Sequence, residues 1–165
     1  MADGGASTFI MLITGLLISS SVSALLITEW SAMARAAQKD QQGVQFSNEL
    51  GVEFAGDPMM VDLNTSANPQ EITFYLQNTG EHPMDESVIE VLVNGLAPTT
   101  ITPFLITGTT WDPGELVAIQ IKDSDYATNA DISEGEDVRI FAIVTSDSVG
   151  GMSSSTTMSV EVRLS

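Results

Sequence analysis

The sequence predicts a mainly β protein in which an N-terminal transmembrane α-helix is followed by an immunoglobulin-like β-sandwich. The first observation is an uncharged run of twenty-five residues, Gly4 to Thr28, at the start of the chain. The second is that apolar residues beyond position 45 alternate with polar ones between frequent turn signals. We therefore expect two parts: a transmembrane and stalk helix over 1–43 and a β-sandwich domain over 44–165.

The apolar run is long enough to cross a bilayer, which takes about 20 residues in a helix. A cleaved secretory signal is the main alternative, and Ala32-Met33-Ala34 resembles a cleavage site. However, Met1-Ala2-Asp3 lacks the basic residues of such a signal and the run is too long, so we favour a retained helix. The residues predicted to anchor it in lipid are Phe9, Ile10, Leu12, Ile13, Leu16, Leu17, Ile18, Leu25, Leu26 and, at the interface, Trp30.

Small residues recur along this helix at spacings that let helices pack closely in lipid. The residues predicted to form such a packing surface are Gly15, Ser19, Ser23 and Ala24. They predict association with a partner helix or formation of a homo-oligomer.

Helical periodicity continues beyond Thr28, with Trp30, Met33, Ala37 and Val44 near 3.6-residue spacing. The sequence therefore predicts one helix that leaves the membrane and ends near Gly43.

A strand pattern follows, and Phe46, Leu50, Val52 and Phe54 are expected to open it. Asn94-Gly95 is the strongest short hairpin signal in the chain. The further predicted strands are Ile72–Leu76, Val88–Val93, Ile101–Ile106, Leu116–Ile121, Val138–Val144 and Met158–Leu164. Seven or eight short strands of this kind are typical of an immunoglobulin-like sandwich, in which we expect Trp111 to lie in the core.

The charge balance excludes nucleic acid as a partner. The chain has 22 acidic and 5 basic residues, a net charge of −17, and its bases are scattered. Phosphate backbones require clustered Lys and Arg. Such an acidic surface indicates a protein adapted to a salty medium, as in a halophile, where screening weakens self-repulsion.

No catalytic set, metal site or cofactor site is predicted. The chain has no cysteine, and its only histidine, His82, is expected to be solvent-exposed in a turn. The acidic clusters Asp123–Asp125 and Glu134–Asp137 do not match a calcium-binding loop. We therefore predict that the protein is not an enzyme.

The orientation of the helix stays open from the residues alone. Arg35 and Lys39 follow the span and mildly favour a cytoplasmic C-terminal domain. Asn64-Thr65-Ser66 is a glycosylation acceptor of the kind modified on exported proteins, which points the other way.

The order of these parts resembles one known family. The motifs that carry the resemblance are Gly56-Asp57-Pro58, Glu71–Gly80, Val91–Gly95 and Thr110–Glu115 behind the uncharged span. Together they are similar to the FlaF/FlaG family of archaeal archaellum (flagellum) accessory proteins, with FlaG the nearer.

The resemblance implies a single-pass archaeal membrane protein whose sandwich lies on the extracellular, pseudoperiplasmic side. It also implies a FlaF-like partner or an S-layer protein, and a stator-like role in holding the motility machinery to the cell envelope. The leading hypothesis is therefore a structural tether held by membrane lipid at one end and by protein at the other.

The alternative hypothesis is an archaellin- or pilin-like filament subunit whose apolar helices bundle together. Met1–Gly5 lacks the basic residue that precedes a prepilin-peptidase cut. On that ground the helix is expected to stay unprocessed, and this expectation favours the accessory protein over the filament subunit.

Overall fold

The computed structural model describes residues 3–127 and 132–165. The chain forms two compact units, one ending at Val44 and the other running from Gln45 to Ser165. The first is helical, and the second contains the end of that helix and all the strands.

The helix α1 runs without interruption from Asp3 to Asn48, so it ends five residues later than expected. The prediction that Phe46 opens the first strand is wrong. Phe46 lies in the last helical turn, and its buried ring packs against His82 within the sandwich unit. That burial extends the helix past Gly43, because the last turn gains apolar packing.

Eight strands follow in the part of the chain that the structure describes, which confirms a helix followed by a β-sandwich. A short 3-10 helix covers Ser124–Ala127. The strands are β1 Val52–Ala55, β2 Asp62–Asn64, β3 Gln70–Asn78, β4 Met84–Val93, β5 Thr100–Leu105, β6 Leu116–Asp123, β7 Asp137–Ser146 and β8 Ser155–Arg163.

All strand pairs within the two sheets are antiparallel. In the five-stranded sheet the order is β1-β3-β6-β5, and β2 also pairs with β3. Because β6 pairs with nearly the whole length of β3, the short strands β1 and β2 share its opposite edge. The second sheet has three strands in the order β4-β7-β8.

The core lies between the sheets and follows the alternation read from the sequence. Ile72, Phe74 and Leu76 of β3 point inward, as do Val117, Ile119 and Ile121 of β6, and all are buried. Such alternation is what a strand with one buried face requires. The expected core position of Trp111 is confirmed, since its side chain is fully buried.

Asn94-Gly95 forms the tight turn that its sequence predicts, but the turn does not join neighbouring strands. Both residues have positive φ, at 50° and 82°. Val93 and Leu96 exchange backbone hydrogen bonds of 2.9 Å across the turn. The chain then leaves the sheet of β4 and enters the other sheet as β5.

Candidate assembly surfaces of the helix and the sandwich

The apolar half of α1 exposes its side chains on every side. No part of its most apolar stretch is buried. A helix that is apolar all round needs lipid or other protein around it. At 1.5 Å per residue, the uncharged run is about 38 Å long, which exceeds the roughly 30 Å of a bilayer core. The predicted anchor residues are all exposed: Phe9, Ile10, Leu12, Ile13, Leu16, Leu17, Ile18, Leu25, Leu26 and Trp30.

Hydroxyl groups within this stretch donate hydrogen bonds to the helix's own backbone. Thr14 Oγ1 donates to the carbonyl of Ile10 at 2.8 Å, and Thr28 Oγ1 donates to that of Ala24 at 2.9 Å. Ser20 donates in the same way to the carbonyl of Leu17. A hydrogen-bond donor without a partner is costly in an apolar environment. Because these hydroxyl groups already donate to the backbone, their side chains can lie in lipid or against other helices at lower cost.

The four predicted packing residues do not form one face. A helix turns about 100° per residue, so Gly15, Ser19 and Ser23 form a gradually drifting stripe. Ala24 is nine residues from Gly15 and therefore lies about 180° away, on the opposite side. A Cβ added to Gly15 would meet nothing within 4 Å, so this position is open to a close neighbour. The role of the four residues in helix packing stays a prediction.

The polar half of the helix keeps an exposed apolar stripe. Trp30, Met33 and Val44 are 78%, 71% and 63% exposed. Their spacing places them within one side of the helix, as a contact surface for a neighbouring helix requires.

Within the sandwich unit, the end of α1 is held by a small cluster around His82. Its ring packs on Phe46 with centroids 4.5 Å apart, and its Nε2 lies 2.8 Å from Glu49 Oε2. The expectation that His82 is solvent-exposed is wrong, since its side chain is only 22% exposed. The sequence could not reveal this, because the two partners lie 33 residues or more upstream.

Beside this cluster, the fully buried Asn78 joins three parts of the chain. Its Nδ2 donates to the carbonyls of His82 and Trp111 at 2.9 and 3.0 Å. Its Oδ1 accepts a hydrogen bond from the amide of Gly80 at 3.0 Å. The sequence alone does not predict this role, although a polar residue at the end of an apolar strand is a signal for it.

The backbone at this point is also tightly packed. The amide of Glu81 donates to the carbonyl of Glu49 at 2.8 Å, and that of Thr79 donates to the carbonyl of Gly51 at 2.9 Å. A Cβ on Gly80 would lie 2.6 Å from the nitrogen of Gly51. These contacts fasten the segment that follows α1 to the turn after β3.

Two carboxylates of the sandwich accept hydrogen bonds that lower their pKa values. The hydrogen bond from Lys122 lowers the pKa of Glu71, with a 3.0 Å contact between Nζ and Oε2. A backbone hydrogen bond from Asp125, helped by Thr99, lowers the pKa of Asp123. Asp123 belongs to the acidic cluster Asp123–Asp125, and its two carboxylate oxygens accept these bonds. Burial raises the pKa of the nearby Tyr126.

Each basic residue of the sandwich is paired with an acid on the adjacent strand. Besides Lys122 and Glu71, Arg163 Nε lies 2.8 Å from Asp137 Oδ1. Arg139 and Glu161 are 3.9 Å apart and well exposed. Each of the three bases thus faces one acid, and the strands keep six further acidic residues: Glu53, Asp62, Asp85, Glu86, Glu90 and Asp123.

Asn64, the predicted glycosylation acceptor, lies at the end of β2. Its Nδ2 donates to Glu71 Oε1 at 3.3 Å, and its Oδ1 accepts from the amide of Ser66. The acceptor nitrogen is thus engaged in the folded domain, and its glycosylation stays a prediction.

No arrangement typical of catalysis was found in the described residues. A groove of about 280 Å³ opens where β1 and β2 leave the edge of β3. Asp57 and Asp62 line it with apolar neighbours such as Phe54 and Met60. Over 3–127 and 132–165 no three His, Cys, Asp or Glu residues converge as metal ligands.

Comparison with known proteins adds a family match over the whole described chain. The profile of the archaeal-type flagellin family matches residues 2–165. No curated protein matches the chain. Among solved structures, the crystal structure of the yeast GGA1 GAE domain matches at 11% identity and a TM-score of 0.29. That alignment covers 70% of this chain and 92% of that chain, and the likeness is too low to bear on function.

Proposed function

Because this chain belongs to the archaeal-type flagellin family, we propose that it is a subunit of the archaellum filament. In this role the apolar part of α1 packs with the helices of other copies, and the sandwich lies outside the cell. The role is structural, as the family name implies.

The observation that carries the proposal is the extent of the family match. It covers residues 2–165 and thus includes both the helix and the sandwich. A match to the sandwich alone would say little, since such domains occur with many functions. The combination of an apolar helix and a sandwich in one profile is what a filament subunit needs.

The helix surface supports the same role. Its apolar side chains are exposed all round, and its hydroxyls bond to its own backbone. Both properties suit a helix that is first inserted in a membrane and later surrounded by other helices. A location in the archaeal membrane before assembly, with the sandwich on the extracellular side, is part of the proposal.

The accessory role predicted from the FlaG-like motifs has weaker support. The family match agrees with an archaellum component, but it points to the filament protein rather than to FlaG. The expected FlaF-like and S-layer partners are therefore secondary, and other copies of this chain become the main partner.

The test is to isolate filaments from the native cells and identify their main component by mass spectrometry. We expect this chain to be the main or a regular component. Its recovery only from membranes, cross-linked to a different archaellum protein, would instead support the accessory role.

A matched pair of helix variants sharpens the test. Gly15→Ile fills the open position on the small-residue stripe, whereas Leu17→Ile changes the far side of the helix without changing its volume. We expect Gly15→Ile to abolish or shorten filaments while the chain still reaches the membrane, and Leu17→Ile to leave filaments intact. Equal filament yields from both variants would exclude the stripe as a packing surface.

A further inference from the structure

The two basic residues of α1 have no acidic partner in the part of the chain that the structure describes. Arg35 and Lys39 are both exposed, and neither forms an ion pair there. The positions three and four residues away from each base, at which helical ion pairs form, hold no acid. The two bases are instead four residues from each other, a spacing at which like charges repel. We call Arg35 and Lys39 the basic pair.

The basic pair differs from the other bases of this molecule. Lys122, Arg139 and Arg163 of the sandwich each face an acid of their own chain. The chain has a net charge of −17, so its copies repel one another unless positive charge lies between them. Of the Lys and Arg residues, the basic pair is the one set that remains available to a second copy.

The position of the basic pair on α1 decides which way it faces in a filament. At about 100° per residue, Arg35 and Lys39 lie on the side of the helix opposite the exposed apolar stripe of Trp30, Met33 and Val44. When that stripe packs on neighbouring helices, the basic pair faces away from them. It is then presented to the sandwiches of other copies.

The sandwich has a groove of complementary charge. On one edge, β3 pairs with β1 as far as Tyr75 and with β2 from Thr73, so Phe74 has no partner strand there. The groove of about 280 Å³ opens at this gap, and Asp57 and Asp62 line it. Both carboxylates are exposed, and neither forms an ion pair with another described residue. We call it the Asp57–Asp62 groove.

The walls of this groove suit a long basic side chain. Phe54, Met60 and Tyr75 line it beside the two carboxylates. Lys and Arg lay their methylene stems along apolar surface and keep the charged end at polar groups. The ring of Tyr75, 43% exposed, offers a face on which a cation can also lie. A volume of about 280 Å³ is just below the usual range for small-molecule pockets, so it fits side chains better than a cofactor.

Other acidic groups of the sandwich fit the basic pair less well. Asp137 and Glu161 already face bases of their own chain, and both oxygens of Asp123 accept hydrogen bonds. An ion pair on open surface is also screened by salt more strongly than one enclosed in a groove. A metal ion is a weaker occupant of the groove, because no three acidic or histidine side chains converge as ligands over 3–127 and 132–165.

We propose that the basic pair of one copy docks in the Asp57–Asp62 groove of a neighbouring copy. Helix and groove are two different surfaces, so the contact is heterologous and can be repeated along a filament without closing into a dimer. The inference rests on the proposed filament role and names the surfaces through which a helix of one copy contacts the sandwich of another.

Reversing the charges tests the contact in filaments from the native cells. Arg35→Glu with Lys39→Glu reverses the basic pair, and Asp62→Lys reverses one side of the groove. We expect each change to lower the temperature at which filaments dissociate, and their combination to recover much of the loss because attraction is restored. Glu90→Lys, at an exposed position of β4 in the other sheet, changes the net charge equally and should recover nothing. Equal recovery by Asp62→Lys and Glu90→Lys would count against the inference.

The absence of native cysteine allows an independent cross-linking test. Lys39→Cys, Asp62→Cys and the double variant are produced in the native cells, and intact filaments are treated with a short bifunctional maleimide. We expect the double variant to give a ladder of dimers, trimers and longer species, and each single variant to stay monomeric. The matched control replaces Asp62→Cys by Glu90→Cys and should give no ladder.

Three outcomes would overturn the inference. The double variant could stay monomeric in intact filaments, the control could give an equal ladder, or Asp62→Cys could cross-link to a different protein. Mass spectrometry of the same filaments is done before cross-linking. Filaments that lack this chain would overturn the proposed function and this inference with it, whereas filaments that contain it without the ladder would overturn this inference alone. The two failures are therefore distinguishable.

Discussion

Asn78 donates a hydrogen bond from its Nδ2 to the backbone carbonyl of Trp111, 33 residues away, at 3.0 Å. Both residues are fully buried. The same amide nitrogen also donates to the carbonyl of His82, so one side chain connects the end of β3 to two loops. Its removal takes one donor from each of the two carbonyls, of which that of Trp111 keeps a hydrogen bond from the amide of Met84.

Asn78→Ala is expected to lower the free energy of unfolding by about 3 kcal/mol, because buried polar groups lose their partners. Asn78→Asp should cost at least as much, since a carboxylate cannot donate to the two carbonyls. The measurement is denaturant unfolding of the full chain in detergent, followed by fluorescence of Trp111 in a Trp30→Phe background. Gln77→Ala, which removes one exposed bond to the carbonyl of Gly114, is the control and should cost less than about 1 kcal/mol.

Gly80→Ala is expected to destabilise the sandwich by about 2 kcal/mol or more, because the new Cβ would lie 2.6 Å from the nitrogen of Gly51 and 2.8 Å from the carbonyl oxygen of Glu49. Gly43→Ala, in the helix with nothing within 4 Å, should instead increase helix stability by about 0.5–1 kcal/mol. Thermal unfolding followed by circular dichroism measures the change in stability of each variant. The same sign for both variants would contradict the packing at Gly80.

His82 variants separate ring packing from the contact with Glu49. His82→Phe keeps a ring against Phe46 and loses the contact with Glu49, so we expect a loss of about 1 kcal/mol or less. His82→Ala also loses the ring and should cost about 1 kcal/mol more. Hydrogen exchange of the backbone amides in Phe46–Glu49 should accelerate more in His82→Ala than in His82→Phe. Equal exchange in the two variants would mean that the ring does not hold the last helical turn.

The lowered pKa values of Glu71 and Asp123 predict a specific loss of stability in acid. A carboxyl whose folded pKa lies below its unfolded value stabilises the fold above the unfolded pKa, and this contribution disappears as the pH falls through the folded pKa. The window therefore begins near pH 4.5 for Glu71 and pH 3.8 for Asp123 and extends below.

Glu71→Gln and Asp123→Asn should each lower stability at pH 7 and flatten the decline in that window. The measurement is the difference in unfolding free energy between variant and wild type from pH 7 to pH 3. That difference removes the common effect of protonating the other carboxylates. Glu161→Gln, in an exposed 3.9 Å pair with Arg139, is the control and should behave like wild type. A steady difference over the whole range would refute the prediction.

Several features were predictable because they depend on local patterns. The alternation in β3 and β6 identified both their strands and their buried faces, and Asn94-Gly95 identified a tight turn. The same local signals give wrong predictions where contacts with residues distant in sequence determine the secondary structure. Local periodicity places Phe46 in a strand, and the residue types of Asn94-Gly95 predict a hairpin. In both cases the deciding contact is a packing partner far along the chain.

The sequence by itself determined the two-part organisation of this protein. The uncharged run of twenty-five residues and the alternation of apolar and polar residues are both local patterns, so each is recognised without knowledge of distant contacts. Only the tertiary structure decided which residues meet. It brought His82 to Phe46 and Glu49, buried Asn78 against Trp111, and aligned Tyr75, Ala118 and Phe104 across three strands. The physical reason is that strand order and register arise from packing between segments distant in sequence, which local periodicity does not encode.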